Sequence, residues 1–472
     1  MVTKTVLPGE VSGCVTVPAS KSWAHRLLIT AALSEKPSVI ECDGISKDIS
    51  ATVKCLNGLG ADIKIADEKR ESSKSTVIKV NPVKKTVDHS GQSALYSPLL
   101  CGESGSTLRF LIPVVGALGA NAVFHMEGRL SERPLGPLIE VLSEHGMSFR
   151  KDGKYLYCSG KLNSGRFSIP GNISSQYISG LLMALPVIEG DSVLEITGTI
   201  ESGDYIAMTV RAVEEAGIKL EKKDNTYFIK GGRKFDVPEN PVVEKDWSSA
   251  AFPLSMGAFS KEGMTVSGLN LYSVQGDKEI VNILERFGAG ISVITGDTDE
   301  AEGIFTLDEY RKYIESHPDE RAKQVSVRVK KDNLKGQIID ASAIPDLVPV
   351  ISTVAAGAEG ETVITHAERL RIKESDRLAT TTAMLKALGA DIKETSDGLK
   401  IRGCGICKTE STRETGNAGI NGGETESFND HRIAMSAAVA AGICRNPVTV
   451  RGAECTDKSF PGFWEMLETF SR

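Results

Sequence analysis

The sequence contains no apolar run as long as the roughly 20 residues that a membrane-spanning helix requires. Its longest apolar stretches, such as residues 178–188, are interrupted by Gly180 and Pro186. The sequence also has no excess of positive charge, because 55 lysines and arginines face 62 acidic residues and leave a net charge of −7. This balance argues against a protein that binds nucleic acid or an anionic membrane through bulk charge. Any basic site must therefore be local.

Disulfide and metal-binding patterns are sparse as well. The nine cysteines are odd in number and scattered, and no apolar leader follows Met1, so we expect a reduced protein of the cytoplasm. The single Cys-x-x-Cys pair, Cys404 and Cys407, has no second pair, and the seven histidines lie far apart. No Gly-x-Ser-x-Gly motif is present. We therefore expect no metal site, no cofactor and no membrane anchor.

The length of 472 residues is about three times that of a typical domain, which predicts at least two domains. One phrase recurs five times, with an apolar helix end, a left-handed glycine and the start of a strand. Spacings of 86, 71, 71 and 101 residues, with a terminal helix at 463–470, predict six α/β units, three per domain. Polar stretches at 296–324 and 408–427 are interpreted as insertions on a solvated face. The glycines of the phrase are Gly60, Gly146, Gly217, Gly288 and Gly389.

Basic residues recur at predicted helix starts, where the helix dipole disfavours positive charge unless an anion is present. Ser20 can cap a helix that carries Lys21 and Arg26 in its first turns. The glycine- and hydroxyl-rich turn before Arg109 offers backbone N–H groups to an anionic oxygen, although it lacks the Lys-Ser/Thr ending of a P-loop. These placements predict anion sites, and a solvated helix start is the alternative for each. The four basic helix starts lie at residues 20–26, 102–109, 371–377 and 429–432.

Two carboxylates stand out beside these cations. Asp346 lies in an apolar segment, and Glu374 lies between Lys373 and Arg377. Carboxylates in such surroundings can act as a general acid or base. The alternatives are a helix N-terminal residue for Asp346 and a buried salt bridge for Glu374.

Taken together, these phrases resemble the 5-enolpyruvylshikimate-3-phosphate (EPSP) synthase family over nearly the whole chain. The runs Lys-Glu-Ser-Asp-Arg-Leu at 373–378 and Asn-Asp-His-Arg at 429–432 are the most specific. The other matching positions are Ser20, Lys21, Ser22, Arg26, Gly105, Arg129, the Glu-Arg-Pro run at 132–134, Ser174, Ser175, Gln176, Ser202, Asp346 and Lys458.

The resemblance implies an α/β fold of two similar domains, each of three βαβαββ units around inward-facing helices, with the active site in the interdomain cleft. Residues 1–20 plus 245–472 would form a discontinuous domain that carries the acid/base residues. Residues 21–244 would form an inserted domain with most of the shikimate 3-phosphate contacts. We expect a monomer.

The implied reaction transfers the enolpyruvyl group of phosphoenolpyruvate to the 5-hydroxyl of shikimate 3-phosphate and releases phosphate, with glyphosate as an inhibitor. Asp346, Glu374 and Lys21 are the implied catalytic residues. The implied shikimate 3-phosphate contacts are Lys21, Ser22, Arg26, Ser174, Ser175, Gln176, Ser202, Asp346 and Lys373. The implied phosphoenolpyruvate contacts are Lys21, Gly105, Arg129, Gln176, Arg377, Arg432 and Lys458.

The chain departs from the common family pattern at two places. Glu103 and Ser104 stand where Asn-Ala is common, and Arg369 stands where Asn is common. A carboxylate beside a phosphate site is repulsive unless it turns away or pairs with a cation. Three readings compete with the family. One is the related UDP-N-acetylglucosamine enolpyruvyl transferases, which show Lys-Asn at Lys21-Ser22. The others are a noncatalytic anion-binding module and a nucleic-acid-processing relative with the same βαβαββ unit, which the acidic net charge disfavours.

Overall fold

The computed structural model describes residues 1–70, 73–84, 98–297, 300–406 and 419–470. By its internal contacts the chain divides into two units. The discontinuous unit comprises Met1–Pro18 with Glu244–Arg472. The inserted unit comprises Ala19–Val243. Among the described residues, no helix is both long and apolar enough to cross a membrane.

The chain begins with two strands of the discontinuous unit, β1 (Thr3–Val6) and β2 (Gly13–Thr16). The inserted unit then follows with alternating helices and strands. They are α1 (Lys21–Ala32), β3 (Ser38–Glu41), α2 (Lys47–Gly58), β4 (Asp62–Arg70), β5 (Ser73–Asn81), β6 (Leu99–Gly102), α3 (Gly105–Leu118), β7 (Ala122–Met126), α4 (Gly136–Glu144), β8 (Ser148–Asp152), β9 (Tyr155–Ser159), β10 (Arg166–Pro170), α5 (Ser175–Ala184), β11 (Ser192–Thr197), α6 (Gly203–Glu215), β12 (Glu221–Lys223) and β13 (Thr226–Ile229).

The rest of the discontinuous unit has the same alternation. Its elements are α7 (Trp247–Gly257), β14 (Met264–Leu269), α8 (Ile280–Phe287), β15 (Gly290–Asp297), β16 (Glu300–Phe305), α9 (Leu307–Ser316), β17 (Val325–Lys330), β18 (Ile338–Asp340), α10 (Val348–Gly357), β19 (Glu359–Thr365), α11 (Arg377–Ala387), β20 (Asp391–Glu394), β21 (Leu399–Cys404), β22 (Gly423–Glu426), α12 (His431–Ala440), β23 (Val448–Arg451) and α13 (Phe463–Phe470).

The described strands form six sheets, three in each unit. The inserted unit contains β3-β5-β4, β6-β7-β9-β8 and β10-β11-β13-β12, and the discontinuous unit contains β16-β15-β17-β14-β2, β18-β19-β21-β20 and β1-β23-β22. In a complete unit such as β18–β21, two parallel strands joined by a helix are followed by a second helix and an antiparallel hairpin. The predicted architecture of βαβαββ units is confirmed.

The recurring glycines mark the helix ends as predicted. All five have positive φ, from +81° at Gly217 to +102° at Gly288. A side chain is strained in this conformation, so glycine lets each helix turn directly into the next strand.

The interpretation of residues 296–324 as a solvated insertion is wrong in part. The stretch contains β16 and α9, and Leu307, Tyr310 and Ile314 of α9 are buried in the core. These apolar residues recur at helical spacing, so one face of a mostly polar helix packs inward. Of the second stretch, residues 408–418 lie outside the described residues, as does Cys407.

Candidate active site

In the discontinuous unit, the guanidinium group of one arginine donates hydrogen bonds to three carboxylates. Arg377, only 1% exposed, donates from Nη1 to Asp346 Oδ1 at 2.6 Å and from Nη2 to Glu374 Oε2 at 2.8 Å. Its Nε donates to Asp430 Oδ2 at 2.8 Å. Asp346, Glu374 and Arg377 are predicted site residues, and the structure places both carboxylates in direct contact with Arg377.

The cluster forms where three helices begin. Asp346 lies in a single 3₁₀ turn directly before α10, Arg377 is the first residue of α11, and Asp430 caps α12 by accepting from the Arg432 backbone N–H at 3.0 Å. Carboxylates are favoured at helix N-termini because unpaired backbone N–H groups point toward them. Side chains more than 80 residues apart in sequence therefore converge.

Two further cations contact Asp346. Lys373 Nζ lies 3.4 Å from its Oδ1, and Arg432 Nη2 lies 3.6 Å from its Oδ2. Arg432 also donates from Nη1 to the Asp346 backbone carbonyl at 2.9 Å. Burial lowers the pKa of Lys373, and Asp346 opposes that shift. A lysine tuned in this way gives up a proton more readily than an exposed one.

The three carboxylates differ in their access to solvent. The side chain of Asp430 is completely buried, whereas those of Asp346 and Glu374 are 13% and 22% exposed. Burial alone would raise the pKa of Asp430, but the charges of Arg377 and His431 outweigh it and lower that pKa. Asp430 thus stays ionised and holds Arg377, while Asp346 and Glu374 remain accessible for proton transfer.

A fourth carboxylate, Asp277, belongs to this neighbourhood and was not identified from the sequence. It is buried, it accepts a hydrogen bond from Ser248 Oγ, and it interacts electrostatically with Arg432 and Asp346. Burial raises the pKa of Asp277 to about 6. The segment Gln-Gly-Asp-Lys-Glu around it looks like an ordinary polar turn, so no local signal marks the position.

Lys458 reaches the same region through the backbone. Its Nζ donates to the Asn429 carbonyl at 2.7 Å, just before α12 begins. Phe428 and Asn429 have φ of +53° and +55°, a conformation that costs energy for residues other than glycine. The strained turn sets the direction from which the chain enters α12, with Asp430 and Arg432 at its start.

In the inserted unit, the predicted helix start at Ser20 is confirmed. Ser20 caps α1 by accepting from the Trp23 N–H, and Lys21 Nζ pairs with Asp48 Oδ2 at 2.9 Å. Arg26 is buried, and its acceptors are neutral oxygens, among them Thr209 Oγ1 at 2.7 Å. Burial lowers the pKa of Arg26 to about 9.

The glycine turn begins α3 and has two arginines against it. Ser104 caps the helix by accepting from the Thr107 N–H at 3.2 Å. A Cβ placed on Gly105 would lie 2.7 Å from Arg109 Nη1 and 2.8 Å from Arg133 Nη1. The sequence placed Arg109 at a basic helix start and Arg133 in the Glu-Arg-Pro run, but neither arginine was predicted as a substrate contact.

Glu103 turns toward a neighbouring loop. Its Oε2 lies 2.6 Å from the position that a Cβ on Gly128 would occupy, and Gly128 has a φ of +52°. The carboxyl group therefore fills the space left by this glycine beside Arg129. Arg129 itself is half exposed and lies 3.4 Å from Glu132 Oε2.

The remaining predicted contacts also lie at helix starts of the inserted unit. Ser174 caps α5 by accepting from the Gln176 N–H at 3.3 Å, and Ser175 is the first residue of that helix. Ser202, with a φ of +53°, directly precedes α6. Gln176 Oε1 accepts a hydrogen bond from Arg109 Nη1 at 2.9 Å, and its Nε2 donates to Ser106 Oγ at 2.9 Å. Among the described residues, no group of histidine, cysteine or carboxylate side chains could hold a metal ion.

The chain is similar to proteins of known family in both sequence and structure. The family model described as EPSP synthase (3-phosphoshikimate 1-carboxyvinyltransferase) matches residues 7–467. The 3-phosphoshikimate 1-carboxyvinyltransferase of Clostridium acetobutylicum is 40% identical over 465 residues, which cover 98% of this chain and 95% of the relative. An EPSP synthase structure from Acinetobacter baumannii superimposes with a TM-score of 0.74 at 27% identity, covering 99% and 98% of the two chains. The enolpyruvyl transferase NikO from Streptomyces tendae shares the fold, with a TM-score of 0.71 at 14% identity over 99% of this chain and 96% of that one. The match of sequence along almost the entire length shows that the chain belongs to the EPSP synthase family.

Proposed function

We propose that the protein transfers the enolpyruvyl group of phosphoenolpyruvate to the 5-hydroxyl of shikimate 3-phosphate and releases phosphate. The observation that carries this proposal is the contact of Arg377 with both Asp346 and Glu374, in a chain of this family. Two accessible carboxylates beside cations provide the acid and base that such a transfer needs.

The chemistry has two stages. In the first, the 5-hydroxyl loses its proton and attacks C2 of phosphoenolpyruvate, while the methylene carbon gains a proton and becomes a methyl group. In the second, the tetrahedral intermediate loses phosphate, and the methyl group returns a proton to restore the double bond. We assign the hydroxyl proton to Asp346 and the methylene proton to Glu374, with Lys21 assisting either transfer.

The binding assignments follow the helix starts. Cations and backbone N–H groups at these positions suit phosphate and carboxylate groups, and they stabilise developing negative charge. For shikimate 3-phosphate we propose Lys21, Ser22, Arg26, Ser174, Ser175, Gln176, Ser202, Asp346 and Lys373. For phosphoenolpyruvate we propose Lys21, Gly105, Arg129, Gln176, Arg377, Arg432 and Lys458. A monomer in the cytoplasm stays a prediction.

The decisive assay measures phosphate release from phosphoenolpyruvate with shikimate 3-phosphate and, separately, with UDP-N-acetylglucosamine. We expect release only with the first acceptor. Release only with the second would replace the proposal by the related transferase, and release with neither would favour a noncatalytic anion-binding protein.

Asp346→Asn tests the assigned base. The variant should fold and bind shikimate 3-phosphate but turn over about a hundredfold more slowly, the usual scale for losing a general base. Asp308→Asn is the matched control, because Asp308 forms an exposed pair with Arg311 on α9 and its loss should leave turnover unchanged. Turnover near that of the wild type in Asp346→Asn would remove Asp346 from the mechanism.

A further inference from the structure

Arg109 connects three segments that the proposed function assigns to substrate binding. It lies in the second turn of α3, and only 3% of its surface is exposed. Its Nη1 donates to Gln176 Oε1 at 2.9 Å, and its Nη2 donates to the Pro134 carbonyl at 3.4 Å. The same Nη1 lies 2.7 Å from the position of a Cβ on Gly105. One buried guanidinium thus contacts the glycine turn, the loop after Arg129 and the start of α5.

The contacts of Gln176 fix the orientation of its amide. Because Oε1 accepts from Arg109, the amide nitrogen must face the other way, and Nε2 donates to Ser106 Oγ at 2.9 Å. A guanidinium can only donate, so the reversed amide would bring two donors together. Tyr177 strengthens the arrangement, since its hydroxyl also donates to the Pro134 carbonyl and its ring lies 5.8 Å from the Arg109 guanidinium carbon.

We propose that Arg109 is a positioning residue for phosphoenolpyruvate: it sets the amide orientation of Gln176 and holds the Pro134 loop against the glycine turn. This role rests on the proposed function, because Gln176 and Gly105 matter here as substrate contacts. Arginine is required because its planar fork serves two acceptors in different directions, which a lysine ammonium at the end of a flexible stem does not reproduce.

The test is a double-mutant cycle between Arg109 and Gln176, read as kcat and as KM for both substrates. Arg109→Gln should raise the KM for phosphoenolpyruvate about tenfold and change the KM for shikimate 3-phosphate less. In a Gln176→Ala background the same change should have little further effect, because residues that act as one unit are not additive. Arg166→Gln is the control for charge loss, since Arg166 forms an exposed pair with Glu195 and its substitution should leave both constants unchanged.

Arg109→Lys and Ser106→Ala keep the test decisive if Arg109→Gln does not fold. Arg109→Lys should retain the KM defect, and Ser106→Ala, which removes the second anchor of the Gln176 amide, should raise the same KM by a few fold. Additive effects in the cycle, or a wild-type KM in Arg109→Lys, would reject the positioning role while leaving the proposed function intact. A wild-type protein that releases no phosphate with shikimate 3-phosphate rejects the proposed function and this role with it.

Discussion

Each unit contains an almost completely buried arginine, and the two guanidinium charges lie in opposite electrostatic surroundings. Arg377 and Arg26 are 1% and 2% exposed. Arg377 is surrounded by three carboxylates, so that although burial disfavours its charge, its pKa is raised above the ordinary value. Arg26 donates to neutral oxygens, and burial lowers its pKa to about 9. The same side chain at the same depth therefore has opposite electrostatic surroundings.

This electrostatic difference indicates that Arg377 and Arg26 have different tasks. The charge of Arg377 is already neutralised by the protein, so its main effect is to hold Asp346 and Glu374 in place. The charge of Arg26 is stabilised by neutral oxygens and by the face of the Phe110 ring, so an arriving anion gains more from it. The difference favours Arg26 as a contact for an anionic substrate group, and it gives Arg377 a second task, organising the acid and base, beside the phosphoenolpyruvate contact proposed for it.

The largest expected effect comes from removing each guanidinium. Arg377→Met removes the arginine partner of the buried Asp430 carboxylate and should lower the free energy of unfolding by about 3–5 kcal/mol. Arg26→Met leaves only neutral acceptors unsatisfied and should cost about 1–3 kcal/mol. Urea denaturation measures both, with the half-exposed Arg451→Met as the control at about 0–1 kcal/mol. Equal losses for Arg377→Met and Arg26→Met would break the comparison.

Burial acts on an acidic side chain as well, because it raises the pKa of Asp277 from 3.8 to about 6. Between these pH values the folded protein keeps a proton that the unfolded chain has released, so this group makes stability fall as pH rises from 3.8 to 6. Asp277→Asn removes the titration.

Relative to the wild type, Asp277→Asn should therefore gain about 2 kcal/mol of stability between pH 4 and pH 7. Denaturant unfolding across this range gives the difference curve. The control is Asp308→Asn, whose carboxylate is exposed. A flat difference for Asp277→Asn would show that Arg432 and Ser248 compensate the buried charge fully.

The smallest effect is expected at Gly105. Its missing Cβ leaves room for the guanidinium ends of Arg109 and Arg133, so an alanine at this position requires those two side-chain ends to shift. We expect glyphosate to compete with phosphoenolpyruvate, and Gly105→Ala to weaken glyphosate more than phosphoenolpyruvate, by about tenfold.

Inhibition constants and KM values measure this preference. Gly203→Ala is the control, because Gly203 also begins a helix but a Cβ there meets its nearest atom only at 3.8 Å. An equal loss for both ligands in Gly105→Ala would show that the turn as a whole had moved.

The sequence predicted local features of the fold better than it predicted long-range pairs. Helix ends such as Gly217 and caps such as Ser20 depend on neighbouring residues, and both are confirmed. The same holds for the choice of Arg377, which stands in a distinctive run. Its buried partner Asp430 and the nearby Asp277 received no role, because contacts between helix starts that are remote in sequence leave no periodic signal.

Arg109 shows the same limit within a single motif. It stands four residues after Gly105, yet the role proposed for it rests on its contacts with Pro134 and Gln176, which belong to other segments. The substrate assignments themselves came from the family resemblance, since composition and spacing alone indicated only anions and a general acid or base.

The pairing of the first two strands has a consequence for synthesis on the ribosome. β2 lies beside β14, and in β1 Thr3 pairs with Arg451 at the far end of the chain. At a synthesis rate of about 5–20 residues per second, roughly 20–90 s pass between the synthesis of β1 and that of its partner strand β23. During this time the inserted unit can already fold, whereas the first strands expose unpaired edges that can bind other chains. Slow translation or a shortage of chaperones should therefore harm the discontinuous unit first.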